Sequence, residues 1–135
     1  MKKILASLIV AVSLLSLAAC GNPVKNVDVI GADSELYTKS EIDAAADTVV
    51  KYFEDHFGGC VLTEMRYMGD DSAEVFAEWA EQYDAEQAIV LTSSFDVDAS
   101  GGDGSLNPNT TYDGWQWILT RNADERWTLQ TWGYG

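Results

Sequence analysis

The chain has 135 residues, of which 22 are acidic and eight basic, for a formal charge of −14. A surface so negative is repelled by phosphate backbones, which excludes nucleic acid as a partner. A chain of this length supports one independent folded domain rather than two.

The first elements are Met1, Lys2 and Lys3, followed by an uncharged apolar run from Ile4 to Leu17. A basic start, an apolar stretch shorter than the roughly 20 residues a spanning helix needs, and small residues at its end predict an export signal over residues 1–19. The sequence Leu17-Ala18-Ala19-Cys20 directly after it resembles the lipobox of bacterial lipoproteins. The resemblance implies that the Cys20 thiol carries a diacylglyceryl group, and that cleavage before it leaves the protein on the extracytoplasmic face of the cell membrane. Two acyl chains make a stable anchor, at about 0.8 kcal/mol for each buried methylene. An ordinary signal peptide cut after Ala19 is the alternative and leaves Cys20 as a free N-terminal thiol. Cleavage removes Lys2 and Lys3, so six basic residues face 22 acidic ones and the mature charge is −16. Lipid on Cys20 also leaves Cys60 without a disulfide partner, so the core alone must hold the fold.

Residues 20–36 lack a sustained period and read as a lipidated N-terminus and tether, although Val27, Val29 and Ile30 suit an edge strand. The folded domain is expected over 37–135. Thr38-Lys39-Ser40-Glu41 has the capping-box pattern, and Tyr37 stands where it can staple onto Ile42. Ile42, Ala45, Ala46, Val49, Val50, Phe53 and Phe57 then recur at helical spacing until Gly58-Gly59 ends the run. Residues 61–67 alternate with Val61, Thr63, Met65 and Tyr67 on one face, which predicts a half-buried strand. Gly69 breaks it, and Asp70 or Asp71 can cap a second helix with Ala73, Phe76, Ala77, Ala80 and Tyr83 inward.

Three further strands are predicted over 88–98, 114–121 and 126–132, the last two joined as a hairpin around Asn122-Ala123-Asp124-Glu125. Ile89, Leu91, Phe95, Val97, Trp115, Trp117, Leu119, Trp127 and Leu129 mark the core face. The order α-β-α-β-β-β predicts an α+β domain, with two helices on one face of a mainly antiparallel sheet of about four strands. This layout, with Trp115, Trp117, Leu119, Arg121, Trp127 and Gly133-Tyr134 near its end, resembles the small lipoproteins of Gram-positive bacteria that carry one α+β domain. More loosely it resembles the cystatin-like and nuclear-transport-factor-2-like classes, which implies a helix lying in a curved antiparallel sheet.

Residues suited to chemistry are few. The lone His56 closes the first helix, where its charge suits the dipole, and a triad cannot be assembled around it. Cys60 follows the Gly pair with no basic neighbour in sequence and reads as a small buried residue. One histidine and one remaining cysteine make no zinc set. Asp96, Asp98, Ser100 and Gly101 match the opening of a calcium loop, but Asn107 stands where the bidentate Glu belongs. A solvated loop containing Asp103 accounts for the same residues. Asn109-Thr110-Thr111 matches a glycosylation sequon, which bacterial export leaves unused.

No catalytic, cofactor-binding or metal residue is therefore expected, and Cys20 is the one assigned site, for lipid. The domain is expected to be a non-enzymatic binding module for a surface protein or wall polymer. Its candidate surface is the outer sheet face of Thr92, Ser94, Gln116, Thr120, Thr128, Gln130 and Trp132, with Tyr134 beside it. Trp132 falls opposite Trp127 if the last strand is regular. A cystatin-like inhibitor or accessory subunit presenting loop 100–112 is the alternative. A hydrolytic enzyme would need paired carboxylates, for which Glu64 and Asp96 are the candidates.

Overall fold

A computed structural model describes residues 28–123 and 125–134. The export signal, Cys20 and the start of the tether lie outside the described residues. Among the described residues the fold is α+β, with two helices and one mixed five-stranded sheet in the order β1-β2-β3-β4-β5. Here β1 is Val29–Ile30, β2 Cys60–Tyr67, β3 Gln87–Val97, β4 Thr111–Arg121 and β5 Thr128–Gly133. The helices are α1, Lys39–His56, and α2, Ala73–Gln82, the latter entered through a 3-10 turn at Asp70–Ser72. The fifth strand comes from the segment read as tether: β1 pairs in parallel with β2, Val29 opposite Met65, while the other three pairings are antiparallel.

The capping box forms as read. The Thr38 hydroxyl accepts from Glu41 N at 3.1 Å and Glu41 Oε1 accepts from Thr38 N at 2.9 Å. The other Glu41 oxygen pairs with Arg121 at the end of β4. Arg121 also donates to Gln87 Oε1 at 2.7 Å, and its guanidinium lies 4.2 Å from the Trp127 ring centre. Trp127 in turn donates from Nε1 to Glu41 O at 3.0 Å. The first turn of α1 is thus fastened to the end of β4 and to the residue that precedes β5, and Ile42, Ala45, Ala46, Val49 and Phe53 are carried across the sheet. They meet a face built from Leu62, Met65, Ile89, Leu91, Phe95, Trp117 and Leu119, none of which has any exposure.

Strict alternation does not survive in the sheet, because each antiparallel pair carries one irregularity. In β2 the shift lies between Leu62 and Glu64, so Thr63 is the extra residue. Leu62, not Val61, consequently shares the buried face with Met65. At the Gln87 end of β3 both faces are buried, since Ala88, Val90, Ile118 and Thr120 are enclosed along with their alternating neighbours. Helix α2 packs against β3 and β4. The one covered face expected from sequence therefore describes the Val97 half of the sheet, where Thr92, Ser94 and Asp96 remain at least partly open, and not the other half.

Asp70 fastens the connection between β1 and α1. Its carboxylate accepts from Ser34 Oγ at 2.6 Å, Glu35 N at 2.7 Å and the Tyr67 hydroxyl at 2.7 Å. The Ser34 bond and then the Glu35 amide hold its pKa below the ordinary carboxylate value, whereas burial, above all, pushes Tyr67 up to about 12. A carboxylate depressed in the folded state stabilises it above the unfolded pKa of about 4 and loses that effect as pH falls through the folded value. Asp70→Asn is accordingly expected to be less stable than the parent at pH 7 in denaturant titrations, with the gap closing below about pH 4. A gap independent of pH would contradict this role.

Candidate functional site

The C-terminal end of α1, loop 98–110, Trp115 of β4 and Trp132 of β5 enclose a cleft of about 410 Å³. Helix α1 stops where Gly58 and Gly59 turn the chain into β2. Gly59 has φ +78, and a Cβ there would lie 2.7 Å from Ser100 Oγ, so the turn and the loop touch at this residue. The loop is tied down at both ends: Asp98 N donates to Gly59 O and Asn109 N to Asp98 O, each at 2.9 Å. Within it Asn107 N donates to the Tyr112 hydroxyl at 2.9 Å, and Leu106 packs against the core. Gly101 is buried with φ +71, and a side chain there would meet Leu106 O at 2.7 Å. These constraints turn Asp103, Ser105 and Leu106 toward the cleft.

The other wall is aromatic. From the buried Trp117, rings follow one another outward: Trp132 at 6.2 Å, Tyr52 a further 4.7 Å on, and His56 stacked on Tyr52 at 4.2 Å. Phe57 joins this group, 5.4 Å from Trp117 and 6.3 Å from Trp115. Trp115 and Tyr112 pack under Tyr134 at 5.3 and 5.7 Å. Trp132 and Tyr134 are 39% and 64% exposed, so the cluster surfaces at the chain's end. Each such pair is worth about 0.5–1.5 kcal/mol beyond its buried area.

The structure corrects the expected position of Trp132. In β5, Leu129 faces Leu119 while Thr131 faces Ile118, which leaves Gln130 as an extra residue. The added residue reverses the alternation, so Trp132 faces Trp117 and joins the helix-side cleft instead of the outer face. Thr120 stays on the outer face but is enclosed, 3% exposed, and accepts from Gln130 Nε2 at 2.9 Å. Of the outer candidates, Thr92, Ser94, Gln116, Thr128 and Gln130 keep some exposure, and Ser94 donates to Asp113 at 2.7 Å.

The remaining candidates are scattered. Glu64 pairs with Arg66 at 2.9 Å and Asp96 accepts from Thr111 at 2.7 Å, so the two carboxylates are held by separate partners. Asp98 and Asp103 each accept from the backbone amide and hydroxyl of the serine two residues on. The hydroxyls of Ser100 and Ser105, then the amides, lower their respective pKa values. Among the described residues no group of three His, Cys, Asp or Glu side chains is placed to hold a metal ion. His56 and Cys60 both line the cleft. Burial, then Asp98 and Asp103, raises the Cys60 pKa, the opposite of what a nucleophile needs.

The pattern search missed Tyr52, Trp115 and Leu106 as cleft residues. Tyr52 and His56 are four apart on α1, a spacing that places them side by side and was the available signal. Comparison with family models, curated proteins and solved structures finds no match. No helix of the described residues is long and apolar enough to cross a membrane.

The Cys20→Ala chain, whose single cysteine is Cys60, is expected to react with maleimide at pH 7 about tenfold or more slowly when native than in denaturant. Equal rates would mean that the thiol is open and ionised in the cleft.

Proposed function

We propose that the protein is a lipid-anchored binding module on the extracytoplasmic face of the cell membrane, non-enzymatic, which takes its ligand in the cleft between α1, loop 98–110 and β5. The export signal and the Leu17-Ala18-Ala19-Cys20 motif support the anchor on Cys20. One observation carries the cleft: Trp132 and Tyr52 form an apolar wall opposite Asp103 and Ser105, so flat contact area and hydrogen-bonding groups face one space. The raised Cys60 pKa and the separation of Glu64 from Asp96 by their partners favour binding over hydrolysis. A mature charge of −16 disfavours an anionic wall polymer. The alternative of a cystatin-like inhibitor or accessory subunit draws support from the dense hydrogen bonding of loop 100–112. The inward turn of Leu106 within that loop favours the cleft instead.

A photo-crosslinking side chain placed at Ser105, on the cleft rim, is expected to capture a cell-surface component in living cells. The same group at the exposed Val75 of α2 is expected to capture none. The Ser105 adduct should fall about tenfold with Trp132→Ala and disappear in the mislocalised Cys20→Ala form. Equal capture from both positions, or none from either, would overturn the reading.

A further inference from the structure

We propose that β5 and α1 together form a groove that captures an extended, neutral-to-basic polypeptide segment as a sixth strand of the sheet. This identifies the partner class and rests on the reading of the protein as a surface binding module.

Among the described residues β5 is an edge strand, so alternate N–H and C=O groups along its outer side face no neighbouring strand there. Sheet edges of this kind are commonly guarded by charge or by a bulge. Here the eight residues from Trp127 to Tyr134 carry no charge, in a chain that is 22% charged, and the bulge at Gln130 is the one interruption of the edge. The opposite edge differs, because β1 is two residues long.

Helix α1 lies over the sheet and runs in the same direction as β5, reaching it at both ends. Trp127 is bonded to Glu41 in its first turn, and Trp132 rests on Tyr52 near its last. From Glu41 to Tyr52 a helix rises about 16 Å, and from Trp127 to Trp132 the strand advances about 13 Å, because the extra residue Gln130 takes up one of its five steps. The two walls therefore run together for most of that length. Open space lies at both ends of the groove: about 690 Å³ bounded by Ala44, Asp47, Lys51, Arg126 and Trp127, and the cleft of about 410 Å³ at Trp132.

A strand laid along β5 would place every second side chain on the α1 side. An apolar one suits the Trp132–Tyr52 end. Backbone groups repeating along a strand match a polypeptide and not a polysaccharide, whose hydroxyls have no such register. Charge decides among polypeptides. Lys51, Arg121 and Arg126 stand beside Asp47 and Glu125, and Arg121 is paired with Glu41, so the groove itself is nearly balanced, and the −14 of the whole chain repels acidic segments and a second copy alike.

The test uses the full chain extracted in detergent, with a displayed library of random dodecapeptides as the probe. Selected peptides are expected to carry Lys or Arg and an apolar residue at alternate positions. The best of them is then synthesised with its backbone amides N-methylated in two interleaved sets. One set should weaken binding about tenfold or more and the other should leave it nearly unchanged, because only alternate amides face β5. The protein is unaltered, so folding does not confound the comparison.

Equal effects of the two sets, enrichment of acidic peptides, or self-association through β5 without peptide selection would each overturn the proposal. If no peptide is selected while the Ser105 crosslink still captures a surface component, strand capture is wrong and the binding-module reading stands. If both fail, both are wrong.

Discussion

The Glu41 carboxylate holds two structures at once: one oxygen closes the first turn of α1, and the other pairs with Arg121 at the end of β4. The two exposed ion pairs, Lys39 with Asp43 and Arg66 with Glu64, are of the kind worth about 0–1 kcal/mol. The Arg121 pair differs because the Arg121 side chain is only 13% exposed. It is further held by Gln87 and by the face of Trp127, whose indole returns a hydrogen bond to Glu41 O. Removing one member leaves a partly buried charge or donor unpaired, which costs more than the pair itself contributes.

That anchorage sets the line of α1 and, through it, the cleft at the helix's other end. With its first turn pinned to the hairpin, the helix reaches its last turn beside Trp132, and Tyr52 and His56 arrive there together. Loop 98–110 closes the remaining side because Gly59 and Gly101 permit approaches that a Cβ would block. The proposed binding area follows from how a helix terminus is held about 16 Å away. On the polar outer face Ser94 and Asp96 are engaged by Asp113 and Thr111.

Much of the fold was legible because its signals are local. The capping box at Thr38, the glycine stop after Phe57 and the apolar stripe of α1 each depend on residues within a few positions of one another. The alternation of Ile89, Leu91, Phe95 and Val97 likewise marked a buried face correctly. What escaped depends on register. A bulge reverses every side chain beyond it, and neither Thr63 nor Gln130 is a glycine or proline that would announce one. Reading β5 as regular therefore sent Trp132 to the wrong face, and with it the candidate site. β1 escaped in part because two residues carry no period, and only their pairing with Met65 and Arg66 reveals them as a strand.

The cleft depends on Trp132 lying on the helix side of the sheet, and the most direct measurement is a set of proton nuclear Overhauser contacts from its indole in solution. The structure requires contacts to the rings of Tyr52 and Trp117, whose centres lie 4.7 and 6.2 Å away. Contacts to Gln116 and Thr131 with none to Tyr52 would place the indole on the outer face and contradict the site.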